Sequence, residues 1–155
     1  MVRYKNRYFL IKFDFENDKD AREALSGLDA KSLRELLKVA MRTLHGDYGL
    51  GCVQHSLNVK YFNMMTRVAI VRCARDHYRN LWSAMTLIKL INNVGGMIVV
   101  LHVAGTIRSC QKFLITHNKH QLEKMIRNAK TPSEAKQLQK VCEDTMRTCE
   151  VPLRT

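Results

Sequence analysis

Between Arg7 and Phe15 the chain alternates. Phe9, Ile11, Phe13 and Phe15 fall on one side of an extended backbone, Lys12 and Asp14 on the other. A period of two requires a half-buried strand, and one strand cannot hide its apolar face alone. Three further runs can complete a sheet. Val53 to Phe62 alternates His55, Leu57, Val59 and Tyr61 with Ser56, Asn58 and Lys60. The turn Asn63–Thr66 separates it from an apolar run at Arg67–Arg75, as in a hairpin. Met97-Ile-Val-Val-Leu-His-Val103 is continuously apolar, the pattern of a central strand.

Helical periods separate these runs. After a polar loop, Ser32-Leu-Arg-Glu35 reads as a capping box, and Leu33, Leu36, Leu37, Ala40, Met41 and Leu44 form an apolar stripe. Gly46 is expected to end that helix and to begin a loop that runs to Gly51. Residues 77–92 form a second helix with Leu81, Trp82, Met85, Ile88 and Ile91 on its apolar face, stopped by Asn92-Asn-Val-Gly-Gly96. Gly105-Thr106 opens a third helix to about Asn128, with Ile107, Cys110, Leu114, Leu122 and Met125 inward. Thr131-Pro-Ser-Glu134 opens a fourth. The order predicts an α+β fold, a ferredoxin-like four-stranded antiparallel sheet in βαββαβ order with two additional C-terminal helices. Residues 1–130 form the basic domain and residues 131–155 a helical extension packed on it.

Charge narrows the partner. The 26 Lys+Arg against 14 Asp+Glu give a net +12, but the excess is local. Residues 59–130 hold 12 basic and 2 acidic side chains, whereas the segments on either side are nearly balanced. Basic residues on a solvated face normally alternate with acidic ones, so this concentration points to an anionic polymer. Arg67, Arg72 and Arg75 bracket the third strand run, with Arg67 and Arg75 on one face and Arg72 on the other. Arg108, Lys112, Lys119, Arg127 and Lys130 fall near one side of the third helix, whose first N–H groups suit a phosphate. The aromatic-rich RNP1 run is absent and the third strand run has no aromatic side chain, so phosphate and shape readout is expected over base stacking on the sheet.

Self-contained catalysis fits poorly. The six histidines lack metal-enzyme spacing, and only Asp76 and Glu123 are acidic between residues 59 and 130, too few for a two-metal nuclease. The five cysteines are odd in number with no C-x-x-C, which argues against zinc fingers and disulfide frameworks and for reduced thiols in an intracellular compartment. No membrane-length apolar run or signal-type N-terminus is present, and no membrane partner is expected.

The opening Met1-Val-Arg-Tyr-Lys-Asn-Arg-Tyr8, Val71-Arg-Cys-Ala-Arg75, Trp82-Ser-Ala84 and above all Leu101-His-Val-Ala-Gly-Thr-Ile-Arg-Ser-Cys-Gln-Lys-Phe-Leu-Ile115 resemble the Pop-five protein subunits of eukaryotic ribonuclease P and ribonuclease MRP. The resemblance runs from residue 1 to about 125. Relatives often end in an acidic tail, whereas this chain ends in a charge-balanced segment. The resemblance implies a non-catalytic subunit of a ribonucleoprotein that removes 5′ leaders from precursor tRNA, and in its MRP form acts on precursor rRNA. It implies no cofactor in the protein, with magnesium held by the catalytic RNA. Implied partners are that RNA, precursor tRNA in the particle, a TIM-barrel-type subunit and a small paralogous ferredoxin-like subunit. The implied address is the nucleus and nucleolus. In that setting Arg3, Lys5, Arg7, Arg67, Arg72, Arg75, Arg108, Lys112 and Lys119 are the candidate RNA-binding residues. The competing reading of each is an ordinary ion pair. An assembly scaffold meeting mainly proteins, and a small enzyme acting on phosphorylated metabolites through Arg108, are the alternative functions.

Overall fold

The computed structural model describes residues 4–128, with side chains as far as Gln121. Its backbone divides into two compact units, one ending at Thr106 and one beginning at Ile107. The Thr131 capping box, the last helix and Arg3 lie outside the described residues.

Within the first unit, β1 (Asn6–Asp14) lies in the interior of the sheet. It pairs antiparallel with β3 (Val68–Ala74) on one side and β6 (Met97–Ala104) on the other. The edge strand β2 (Asn58–Asn63) pairs with β3, giving the order β2-β3-β1-β6 of a ferredoxin-like sheet. Register puts Phe9 opposite Val71 and Ile11 opposite Ala69, so alternate residues of both strands share one face. That face packs against α1 (Asp18–Leu25), α2 (Ala30–Gln54) and α3 (Tyr78–Thr86). Phe9, Ile11, Phe13, Leu33, Leu37, Met41, Leu81 and Met85 form its fully buried centre. Leu10 and Ile70, opposed on the other face, are buried too, so neither face of the central pair is wet.

Several boundaries differ from the sequence reading. The polar stretch after β1 contains α1, whose short helix buries only Ala21, Ala24 and Leu25; so small an apolar stripe gave no period to read. The helix expected from Ser32 begins at Ala30 after Asp29, so the Ser32 box is interior to α2. Gly46 does interrupt the helix, with non-helical dihedrals of φ 66° and ψ −168°, but no loop to Gly51 follows, so α2 is two helical segments joined at a sharp kink. The helix resumes to Gln54 and folds back far enough for Arg34 to donate to the Gln54 carbonyl at 3.1 Å. Val53 and His55 therefore precede the strand, and a bulge between Val59 and Tyr61 breaks the simple alternation. The helix expected over 77–92 stops at Thr86. Residues 90–95 instead make a small ribbon, β4 (Leu90–Ile91) with β5 (Val94–Gly95), turned by Asn92 and Asn93 at φ 50° and 66°. Two positive-φ asparagines suit the primed two-residue hairpin turn. In the second unit, α4 (Ile107–Asn128) occupies the expected span.

The Gly46 conformation lies in a region essentially reserved for glycine, although a Cβ there would meet no atom within 4 Å. Gly46→Ala is therefore expected to destabilise the fold by about 1–3 kcal/mol through backbone strain alone. Urea denaturation of the full chain measures this, and an unchanged midpoint would refute it.

Candidate nucleic-acid interface

Antiparallel pairing brings distant cations together. The start of β1 meets the end of β3, with Arg7 opposite Cys73 and the Arg75 N–H donating to the Lys5 carbonyl at 2.9 Å. The end of β6 arrives at the same place, with Ala104 opposite Tyr8. Arg7 shares a face with Phe9, and a Cβ added to Gly105 would lie 3.2 Å from its Nη1. Glycine at 105 thus leaves room for the Arg7 guanidinium.

Phe9 also positions the helix above it. Its ring lies 6.4 Å from that of Tyr78 and 6.3 Å from Trp82, the latter nearly perpendicular at 75°. Tyr78 begins α3 directly after the 3₁₀ turn Arg75–His77. Arg79 Nε donates to the Tyr78 hydroxyl at 3.3 Å, and the Arg79 guanidinium lies 5.9 Å from the ring centre. The hydroxyl is held below the ordinary tyrosine pKa, first by the Arg79 hydrogen bond and charge, then by the charges of Arg7 and Arg75. One tyrosine oxygen thus feels three guanidinium groups.

Among the described residues no carboxylate is ion-paired with them. The ion pairs among the described residues are Lys38–Glu35, Arg42–Asp47 and Arg67–Asp18. Asp76 is exposed within the 3₁₀ turn and joins none of them. It lines an open groove with Tyr4, Lys5, His55 and Arg72. Arg72 opposes Tyr8 on the sheet face away from Phe9, and its Nε is buried without a hydrogen-bond partner. A buried donor left unpaired is costly, so this position favours an incoming acceptor.

The sequence candidates thus separate. Lys5, Arg7 and Arg75 gather at one end of the sheet, and Arg72 reaches the other face of the same end. Arg67 sits at the opposite end of β3 with φ 54°, its guanidinium engaged by Asp18 of α1. That contact holds the Asp18 carboxyl below its ordinary pKa. Arg108, Lys112 and Lys119 are exposed on α4, and helical spacing places them in one stripe. Sequence reasoning did not single out Tyr78 or Arg79 as site residues. The dense run Arg75-Asp-His-Tyr-Arg79 was the available signal.

Other chemistry-bearing groups have structural settings. His45 Nε2 lies 3.1 Å from the Asn80 carbonyl and 3.0 Å from Ser83 Oγ, clipping α2 to α3. Among the described residues Cys52, Cys73 and Cys110 are in no disulfide, and burial pushes the Cys73 thiol up. Among the described residues no group of three His, Cys, Asp or Glu is placed to hold a metal ion, and no helix is long and apolar enough to cross a membrane.

Strand order and site define a ferredoxin-like domain with a cationic sheet end. A profile of the Rpp14/Pop5 family matches residues 7–115, and the chain belongs to that family. It is 36% identical over 146 residues to the ribonuclease P/MRP protein subunit POP5 of Danio rerio, covering 90% of this chain and 84% of the relative. The Homo sapiens protein of the same name is 35% identical over 144 residues, covering 90% and 86%. The Saccharomyces cerevisiae one is 31% identical over 134 residues, covering 76% and 78%. A chain in the cryo-EM structure of yeast ribonuclease MRP shares the fold, with a TM-score of 0.56 at 13% identity over 97% of this chain and 98% of that one.

The arginine cluster has a spectroscopic consequence. In Arg79→Ala the Tyr78 hydroxyl loses the group that most favours its ionised form, so its titration is expected to move up toward the ordinary tyrosine value. Ultraviolet difference titration, with Tyr78→Phe to assign the signal, checks this; an unmoved titration would exclude the arrangement.

Proposed function

We propose that the chain is a protein subunit of ribonuclease P, and of the related ribonuclease MRP, that holds the particle's RNA by phosphate contacts and is not itself catalytic. Family membership and the relatives' names support the particle. One observation carries the RNA contact: the β1–β3 pairing brings Lys5, Arg7 and Arg75 to one end of the sheet, Arg79 is held on Tyr78 in the helix that follows, and none of the four is in an ion pair among the described residues. Guanidinium groups stay charged at any physiological pH and repel one another, so a phosphate between them is favoured twice, by attraction and by relief of repulsion. Close-packed phosphates of a folded RNA gain the same relief.

Lys5, Arg7, Arg75 and Arg79 form the main phosphate contact in this reading, and Arg72 offers a second from the other face. Arg108, Lys112 and Lys119 offer a stripe on α4, and Arg3 is a further candidate by sequence alone. Arg67 carries the least of it, because Asp18 already engages its guanidinium. The particle then cleaves 5′ leaders from precursor tRNA, with magnesium on the RNA, in the nucleus and nucleolus.

A second reading, an assembly scaffold meeting mainly proteins, is favoured by an apolar groove between α2 and α3. Leu36, Val39, Ala40, Leu44, Leu87 and Leu90 line it, and Val39, Leu87 and Leu90 are well exposed. In the RNA-binding reading the same groove receives a protein subunit, either the TIM-barrel-type one or the small paralogue.

Salt dependence separates the two. Arg75→Ala and Arg79→Ala are each expected to weaken binding of the full chain to structured RNA and to lower the slope of log K against log salt by about one. Arg72→Ala and Arg108→Ala should also lower the slope. Unchanged RNA binding and particle assembly in all four would overturn the proposal; RNA binding only when partner proteins are present would favour the scaffold.

A further inference from the structure

We infer that the exposed side of α3 beside the arginine cluster is a subsite for one unpaired nucleotide, its phosphate at Arg75 and Arg79 and its base against the indole of Trp82. The inference rests on the RNA-binding reading and adds which kind of RNA the site takes.

Trp82 is 41% exposed, so part of its ring is open to a ligand. It lies one helical turn beyond Tyr78 and three residues beyond Arg79, so all three side chains share a face of α3. The indole is not free to swing. Phe9 holds it edge to face at 6.3 Å and holds Tyr78 from the same ring. The result is a fixed aromatic surface one turn from a cluster of cations, a span comparable to that from phosphate to base within one nucleotide.

The combination selects among anions. An inorganic phosphate or a phosphorylated metabolite without a ring uses the guanidinium groups and leaves the indole bare. In an A-form duplex the bases are stacked on one another and cannot reach a side chain. An unpaired nucleotide offers both a phosphate and a free ring face, and aromatic stacking accepts any base. A protein occupant fits less well, because Trp82 is not among the residues lining the apolar groove between α2 and α3.

Trp82 is the only tryptophan in the chain, so intrinsic fluorescence reports this position alone. The full chain is titrated with a single-stranded oligoribonucleotide and with a duplex of equal length. The single strand is expected to quench Trp82 emission, and the duplex to bind without comparable quenching. Trp82→Leu should weaken single-strand binding five- to hundred-fold, the range of one base–aromatic stack, and spare both duplex affinity and the salt slope. Trp82→Phe should restore most of the loss, which separates stacking from misfolding. Arg79→Ala should weaken both RNAs. Absence of quenching, with single-strand affinity unchanged in Trp82→Leu, overturns the subsite while the phosphate reading stands. Equal loss of both RNAs in Trp82→Leu assigns the indole a structural role and also overturns it. So does normal RNA binding combined with failure to enter the particle, which assigns Trp82 to a protein contact. No RNA binding by the native chain removes the subsite and the reading beneath it together.

Discussion

Phe9 and the backbone pairing around it set the position of every group in the cationic site. Its strand carries Arg7 two residues earlier on the same face, and its ring seats both Tyr78 and Trp82. The β1–β3 register then brings Arg75 to Lys5, and the helix that begins three residues later delivers Arg79. Arg75 and Arg79 are about seventy residues from Lys5 and Arg7 in sequence. Their meeting depends on a long-range sheet register that the buried residues Phe9, Ile11, Ala69 and Val71 enforce, because a one-residue slip would turn those side chains out of the core.

The same core explains how a carboxylate-poor end is tolerated. Like charges placed close together destabilise a fold, and here no ion pair among the described residues neutralises them. The offset comes from elsewhere, from a buried cluster that includes Leu33, Leu37, Met41, Leu81 and Met85 and holds α2 and α3 on the sheet irrespective of charge. The ion pairs among the described residues lie on the helices and at the far end of β3, away from Arg75. Asp76 is the acidic residue nearest to Arg75, and it is exposed and joins no ion pair among the described residues.

Strand positions and the sheet plan were legible because Phe9–Phe15 and Met97–Val103 declare their periods over many residues. Boundaries governed by single backbone conformations were not. Gly46 marks the end of one helical segment, but nothing in the glycine itself says that a second segment starts at once in place of a loop. Asn92-Asn93 reads as a stop but builds a hairpin turn. The candidate site was half legible for a related reason. Charge counting pointed to residues 59–130, with Arg72 and Arg75, and the family resemblance added Arg7. Charge counting could not find Tyr78 or Trp82, whose significance lies in a shared contact with Phe9, nor foresee that Asp18, forty-nine residues before Arg67, would engage it.

The short helix α3 serves two surfaces at once. Tyr78, Arg79 and Trp82 lie toward its start, whereas Ala84 and the following Leu87 and Ile88 line the apolar groove at its end. Between them Leu81 and Met85 are fully buried, and the His45 clip to Asn80 and Ser83 ties the helix to α2. A signal passes along such an element only if it has two arrangements of similar energy, and buried side chains with a hydrogen-bonded clip favour one. An RNA at the start of α3 and a protein at its end would therefore bind side by side, each gaining from a helix already in place. Their affinities should add through pre-organisation rather than couple through movement.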